Sequence, residues 1–172
     1  MKNLKRIIFV YSFVILFFVS CGYRFEGGGY LKDDVTRVAV LALENRSSET
    51  GAGITFTNAL IQEILQKTDS KVVKESRATA VLKGTVKSIT FATLSRSSTE
   101  SVTERKVSAT VDLQLINKDD GEVIWSVKDF TSYEEYTVST DKVTDESNKK
   151  EAVDKIAVRN AEKLVGSMLV NF

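Results

Sequence analysis

Basic side chains recur between residues 83 and 106, and these residues point most clearly to a ligand. They lie on two segments whose alternation predicts neighbouring antiparallel strands, where cations can approach one another. Such a patch would suit a phosphorylated glycolipid or an acidic protein surface. The alternative is an ordinary solvated sheet face on which lysine discourages edge pairing. The candidate ligand-binding residues are Lys83, Lys87, Arg96, Arg105 and Lys106.

Catalytic arrangements find little support in the sequence. The chain has no His, which excludes Ser/His and Cys/His dyads and imidazole metal ligands. Adjacent carboxylates such as Asp119 and Asp120 point in different directions, as expected of solvated turns. Gly51-Ala52-Gly53 precedes a predicted helix and could bind an anion, but it lacks phosphate-loop spacing and a simple turn is favoured. We therefore expect no enzyme activity, no catalytic residue and no metal site.

Composition and charge exclude further classes. The 172 residues are 42% hydrophobic and include one Cys, so the fold depends on a buried core and has no internal disulfide. The 24 basic and 23 acidic side chains give a net charge of +1. The charge balance therefore argues against a duplex nucleic acid as partner, because proteins that bind it carry a clear basic excess.

The N-terminus has the layout of a secretory signal peptide. Lys2, Lys5 and Arg6 precede an apolar run over residues 7–19. This run has 13 residues, whereas a membrane-spanning helix needs about 20. The sequence therefore predicts a signal peptide over residues 1–20.

The end of that run resembles the bacterial lipobox. Residues 18–21 read Phe-Val-Ser-Cys, and the resemblance implies that Cys21 carries a diacylglycerol on sulfur and, after cleavage, an N-acyl chain. Two or more acyl chains bind a membrane stably. Gly22 stands where an Asp would signal inner-membrane retention, which implies an anchor in the outer membrane with the protein on the periplasmic face. No cofactor is expected besides these covalent lipids.

The sequence after residue 20 predicts a lipidated N-terminus with a Gly-rich tether over residues 21–34 and one α+β domain over residues 35–172. Hydrophobic periodicity predicts two helices packed on one face of a four-stranded, mostly antiparallel sheet. The polar segment 93–104 is interpreted as a hairpin tip, and Gly121 closes a second hairpin turn. The predicted strands are 37–43, 81–91, 107–116 and 122–134 with a short one at 71–74, and the predicted helices are 54–67 and 146–169.

In their order along the chain, several short segments are similar to the LptE family of lipopolysaccharide-assembly lipoproteins. No single segment is specific, but together they cover essentially the whole mature chain. The resemblance implies a non-catalytic protein that plugs an LptD-type outer-membrane β-barrel, helps it to assemble and binds lipopolysaccharide. The segments are Cys21-Gly22-Tyr23-Arg24-Phe25, Val38-Ala39-Val40, Glu44-Asn45-Arg46-Ser47, Phe56-Thr57-Asn58-Ala59-Leu60, Ala80-Val81-Leu82-Lys83-Gly84, Val123-Ile124-Trp125 and Glu134-Glu135-Tyr136.

A second class remains open at this point. Residues 38–47, followed by a helix and the strand-like residues 80–86, also resemble periplasmic adaptor or secretion lipoproteins of the TolB and curli-secretion type. That fold would return to alternating strands and helices in its second half, whereas here three strands precede one terminal helix. A secreted hydrolase ranks third, because the chain lacks His and a nucleophile elbow.

Overall fold

The computed structural model describes residues 28–32, 35–96 and 102–169, and these form an α+β fold with six strands and two long helices. A short 3₁₀ helix at Glu75–Arg77 precedes the fourth strand. The strands are β1 Arg37–Val40, β2 Glu44–Asn45, β3 Lys71–Val72, β4 Ala80–Arg96, β5 Val102–Asn117 and β6 Val123–Thr137, and the helices are α1 Ala52–Lys67 and α2 Lys142–Leu169.

The long strands β4, β5 and β6 form an antiparallel meander. Alternation along β5 separates its side chains, because successive residues of a strand point to opposite faces. The turn between β5 and β6 uses Gly121 at φ +77°, which confirms the predicted hairpin glycine. The buried face of β5 consists of Val107, Ala109, Val111, Leu113 and Leu115.

The sheet has more strands than the four predicted, and it is mixed rather than mostly antiparallel. Its order is β3-β1-β4-β5-β6, and β2 also pairs with β4. β1 pairs with β3 and β4 in parallel, and β2 pairs with β4 in parallel. β2 and β3 have only two residues each. β3 lies within the short strand predicted at 71–74, whereas β2 was not predicted and depends on its pairing with β4.

α1 begins at a tight approach between helix and sheet. Gly51 precedes it at φ +81°, and a Cβ added to Gly53 would lie 2.4 Å from the carbonyl oxygen of Leu43. The Thr57 hydroxyl connects the same two segments. Its Oγ1 accepts a hydrogen bond from Leu43 N at 2.9 Å and donates one to Gly53 O at 2.6 Å. The glycines thus let the chain turn and pack closely, which accounts for this segment without an anion site.

Residues 29–32 belong to the packed structure and are not only a tether. Leu31 is fully buried, and its N–H donates to Ser70 Oγ at 3.0 Å. The N–H of Lys32 donates to Met168 O at 3.0 Å at the end of α2. The packed part of the chain therefore begins before residue 35. Residues 1–27, with the predicted signal peptide and Cys21, lie outside the described residues.

The hairpin between β4 and β5 is longer than the sequence indicates. Residues 93–104 were expected as a polar tip, but β4 continues to Arg96 and β5 begins at Val102. Thr103 Oγ1 donates to Ser95 Oγ at 3.0 Å across this pair. Backbone pairing extends a strand through polar residues when the neighbouring strand is already in register. In the part of the chain that the structure describes, neither helix is long and apolar enough to cross a membrane.

Candidate functional site

The sheet carries its helices on one face and leaves the other face open. On β5, the side chains that alternate with the core residues are only partly buried. The paired strands contribute Thr85 and Thr90 from β4 and Thr131 from β6 to the same face. Thr110 Oγ1 lies 2.9 Å from Thr131 Oγ1 across the β5–β6 pair. This face is therefore polar, and it presents hydroxyls rather than a second apolar layer.

A depression of about 400 Å³ lies on the open face near the start of the meander. Three cations and two carboxylates line it together with Thr85 and Gln114. Arg46 binds Glu44 through two contacts, at 2.9 Å and 3.0 Å. This hydrogen bond lowers the pKa of the Glu44 carboxyl and raises the pKa of Arg46. The charged residues of the depression are Glu44, Arg46, Lys83, Asp112 and Lys128.

Lys87 lies beside this depression and is held by carboxylates. A β-bulge at this residue interrupts the register between Val86 and Ser88. Lys87 Nζ binds Asp129 closely and lies 3.7 Å from Asp112 Oδ2. The hydrogen bond with Asp129 raises the pKa of Lys87, and the nearby carboxylates add to the effect. A ligand phosphate would therefore compete with Asp112 and Asp129 for Lys87.

The other predicted cations lie at the hairpin end of the sheet. Lys106 pairs with Ala92 and Glu135 in the register, and its Nζ lies 5.6 Å from the centroid of the Tyr133 ring. Arg105 is the neighbouring residue, so it points to the opposite face, the face that carries the core. Arg96 occupies the last position of β4 and pairs with Val102.

The register shows that the five predicted residues do not form one patch. Lys83 lies opposite Gln114, eight residues along β5 from Lys106. Eight residues of strand span about 27 Å, which is too far for both side chains to bind one phosphate. The structure therefore divides them into a pair near the depression, Lys83 and Lys87, and a group at the hairpin end, Arg96, Arg105 and Lys106.

Two further cations of the depression, Arg46 and Lys128, were not predicted. Alternation along β6 could have suggested Lys128, because it follows Ser126 by two residues and Ser126 pairs with Gln114. No local pattern indicates Arg46. It reaches the site because β2 pairs in parallel with β4, where Glu44 lies opposite Thr85.

Polar side chains also lie between β6 and α2, on the covered face. Ser132 donates to Asn160 Oδ1, and both residues are buried. Arg159 binds Glu134 at 2.6 Å and donates to the backbone carbonyl of Tyr133 at 3.0 Å. Buried groups that pair across two elements fix how those elements pack. This cluster therefore sets the position of α2 on the sheet.

Of the adjacent carboxylates that the structure describes, those of Asp120 and Glu134 have structural partners. Asp120 Oδ1 accepts from the N–H of Glu122, and Asn117 Oδ1 accepts from the N–H of Asp119, as in an ordinary turn. Glu134 faces α2, so its neighbour Glu135 points to the other face of the sheet. Asp33 and Asp34 lie outside the described residues. Within residues 28–32, 35–96 and 102–169, no group of His, Cys, Asp and Glu could hold a metal ion.

Comparison with known families decides the affiliation of the chain. The model of the family described as "LptE: Lipopolysaccharide-assembly" matches residues 35–168. The chain belongs to the LptE family. The match begins just before β1 and ends one residue before the end of α2, so it covers the whole sheet, α1 and nearly all of α2. No curated protein matches the chain significantly.

Solved structures share the fold of this LptE family member at low sequence identity. A lipoprotein of Caulobacter crescentus CB15 matches with a TM-score of 0.54 and 13% identity, covering 74% of this chain and 88% of that chain. Rare lipoprotein B of Shewanella oneidensis matches with a TM-score of 0.51 and 17% identity, covering 73% and 92%. The PelC dodecamer of Paraburkholderia phytofirmans matches with a TM-score of 0.50 and 18% identity, covering 84% and 95%. These likenesses show the fold alone.

The second half of the chain has the element order by which the sequence favoured the LptE class. Three consecutive antiparallel strands precede one terminal helix. The TolB and curli-secretion alternative would show strands and helices in alternation there. The topology and the family match therefore agree.

Proposed function

We propose that this LptE family member is a non-catalytic lipoprotein of the outer membrane that plugs and helps to assemble an LptD-type β-barrel. It binds lipopolysaccharide during transport to the cell surface. Acyl chains on Cys21 anchor it to the membrane, with the domain on the periplasmic side. The observation that carries this proposal is the family match over residues 35–168.

The open face of the sheet supports binding of a phosphorylated glycolipid. Lipopolysaccharide carries phosphates, and cations around a concave surface attract them. Lys83, Lys128 and Arg46 surround the depression, and Thr85 and Gln114 add hydrogen-bonding groups. The depression is the first candidate for the phosphate site. Arg96 and Lys106 form a second candidate at the hairpin end, where Arg105 points instead to the covered face.

The first experiment is a pull-down from detergent-solubilised outer membrane with a tag placed after Phe172. The expected result is co-purification of one large β-barrel protein, with lipopolysaccharide in the eluate. Mass spectrometry of the same sample should find acyl chains on Cys21. Recovery of soluble periplasmic or cell-wall partners without the barrel would contradict the proposal and favour the adaptor class.

Charge reversal then distinguishes the two candidate lipid sites. The double variant Lys83→Glu/Lys128→Glu should reduce lipopolysaccharide in the eluate about tenfold or more. Each of the two charge reversals should weaken phosphate binding by roughly 1 kcal/mol. Arg96→Glu/Lys106→Glu tests the hairpin end in the same way. The control is Lys142→Glu/Lys163→Glu, which makes the same charge change at exposed positions of α2.

The measured quantity is the ratio of lipopolysaccharide to barrel protein in the eluate, so that loss of the barrel is not mistaken for loss of lipid. Reduction in the first variant alone places the phosphate at the depression, and reduction in the second alone places it at the hairpin end. Equal retention of lipopolysaccharide by both variants and the control would contradict both sites.

A further inference from the structure

Two β-bulges meet on the open face of the sheet, beside the depression. On β4, Lys87 is an extra residue, because its two neighbours pair with adjacent residues of β5. On β6, Lys128 and Asp129 both lie opposite the single residue Asp112 of β5, and both are exposed. Bulges re-aim side chains and are frequent next to active sites. Here they bring Lys87 and Asp129 into contact from two strands that are not neighbours in the sheet.

The backbone of Asp129 has a conformation that is rare for any residue other than glycine. Its φ is +54°, and within residues 28–32, 35–96 and 102–169 no other residue except glycine has a positive φ. Asp and Asn tolerate this region better than other residues, and such positions cluster at active sites, ligand clamps and switches. In this conformation the N–H of Asp129 donates to Asp112 Oδ1 at 2.7 Å, while its carboxylate binds Lys87 Nζ. Backbone and side chain of Asp129 thus act together to hold its carboxylate on Lys87.

The lysines around the depression are of two kinds. Lys83 and Lys128 are exposed, and neither forms an ion pair within the part of the chain that the structure describes. Lys87 instead binds Asp129 and lies 3.7 Å from Oδ2 of Asp112, a residue that also lines the depression. A phosphate in the depression can therefore contact the two unpaired lysines directly, but it reaches Lys87 only in competition with Asp129.

This competition can run in both directions. The side chain of Asp129 is 70% exposed and that of Lys87 is 39% exposed, so a displaced carboxylate returns to water. Ion pairs exposed to this extent contribute little to stability. A phosphate already held by two lysines can therefore break the pair, and the pair forms again when the phosphate leaves.

We infer that Lys87 is a phosphate-binding residue of the depression and that Asp129 regulates it by competing with the ligand phosphate for its ammonium group. Binding transfers Lys87 from the carboxylate to the phosphate, and the carboxylate takes Lys87 back as the ligand departs. Asp129 thus lowers the affinity for the ligand and speeds its release, which suits a protein that passes a lipid on. The inference rests on the proposed binding of lipopolysaccharide and assigns the regulation of that same site.

The test measures how fast lipopolysaccharide dissociates from the full-length lipidated protein. Purified lipopolysaccharide is fixed on a sensor surface, and the protein flows over it in a neutral detergent. Asp129→Asn removes the competing charge and introduces a side chain that also tolerates a positive φ. Glu151→Gln is the matched control, because it removes the carboxylate of another exposed ion pair, the one with Lys155 on α2.

Asp129→Asn should slow dissociation about three- to fivefold, because the ligand phosphate then holds Lys87 without a competitor. Glu151→Gln should leave the rate unchanged within about 1.5-fold, although it makes the same change of net charge, because salt screens distant charges. The variant Lys87→Gln lacks the ammonium group for which carboxylate and phosphate compete. In that background Asp129→Asn should change the rate by less than about twofold.

Equal dissociation rates of Asp129→Asn and the wild type would overturn the inference and leave lipopolysaccharide binding in place. The inference would also be overturned if Asp129→Asn slowed dissociation equally with and without Lys87, because general charge repulsion would then explain the effect. Absence of binding by the wild-type protein would refute the lipid-binding part of the proposed function, and this inference with it.

Discussion

The two faces of the sheet differ although the same strands form both. On β5, Leu113 is 1% exposed and packs in the core, whereas Asp112 and Gln114 line the polar depression. The covered face packs against two helices, and this interface must exclude water. The size and polarity of its residues are therefore constrained. The open face meets no such demand, so it can carry the charges and hydroxyls of the proposed ligand site. The comparison indicates that packing constrains one face of the sheet and leaves the composition of the other face free.

The largest effect should come from a truncation on the covered face. Leu113→Ala should lower the free energy of unfolding by about 2–5 kcal/mol, because it leaves a cavity in a closely packed core. Thr110→Ala on the open face of the same strand should cost less than about 1 kcal/mol, although it removes the contact with Thr131. Urea unfolding of both variants checks the contrast. Similar losses would show that the open face is also a packed interface.

A smaller effect is expected at the polar cluster of the covered face. Ser132→Ala should cost about 1–3 kcal/mol, because it leaves Asn160 Oδ1 without its donor in a buried place. The double variant Ser132→Ala/Asn160→Leu should recover much of the loss, since both polar partners are then gone. Thermal unfolding of the two single variants and the double variant measures the coupling. Additive losses would show that the pair does not act as a unit.

The smallest effect concerns the contact between the two helices. Burial first, and then the Glu162 carboxylate, raise the pKa of Glu63, so the folded protein binds this proton more tightly than the unfolded chain. Stability from this group is therefore present at low pH and falls as the pH rises through the raised pKa. Glu63→Gln should raise the melting temperature slightly at pH 7, and the gain should vanish below the ordinary carboxyl range.

Glu151 on α2 provides the control, because its pKa is shifted in the opposite direction from that of Glu63. The hydrogen bond from Lys155 lowers the pKa of Glu151, so Glu151→Gln should give no gain at pH 7. Melting curves between pH 3 and pH 8 for both variants test the difference. A gain for Glu63→Gln that is independent of pH would show that its carboxylate charge is not the cause.

Local patterns predicted much of the meander and the helices. Alternation over residues 107–116 lies wholly within β5, and the apolar stripe of residues 146–169 lies within α2. These elements bury one face, and burial leaves a period that can be read along the chain. The polar residues 93–96 were missed as strand because pairing with β5, rather than their own composition, extends β4 there.

The candidate site was predicted only in part. Lys83 and Lys87 were identified from their position on one strand, but the bulge at Lys87 and its carboxylate partners were not visible. Bulges depend on the register between two strands, and register is a property of the pair. The same reason explains why Lys106 was grouped with Lys83 although about 27 Å of strand separates them.

The sequence by itself determined the α+β class, the order of the long elements and the family, because each of these depends on local periodicity or on short segments in a fixed order. Only the tertiary structure decided the parallel pairing of β1, β2 and β3, the division of the cations and the entry of Arg46 into the depression. These features join residues that are distant along the chain. Their energy depends on contacts that exist only after folding, so no local pattern could indicate them.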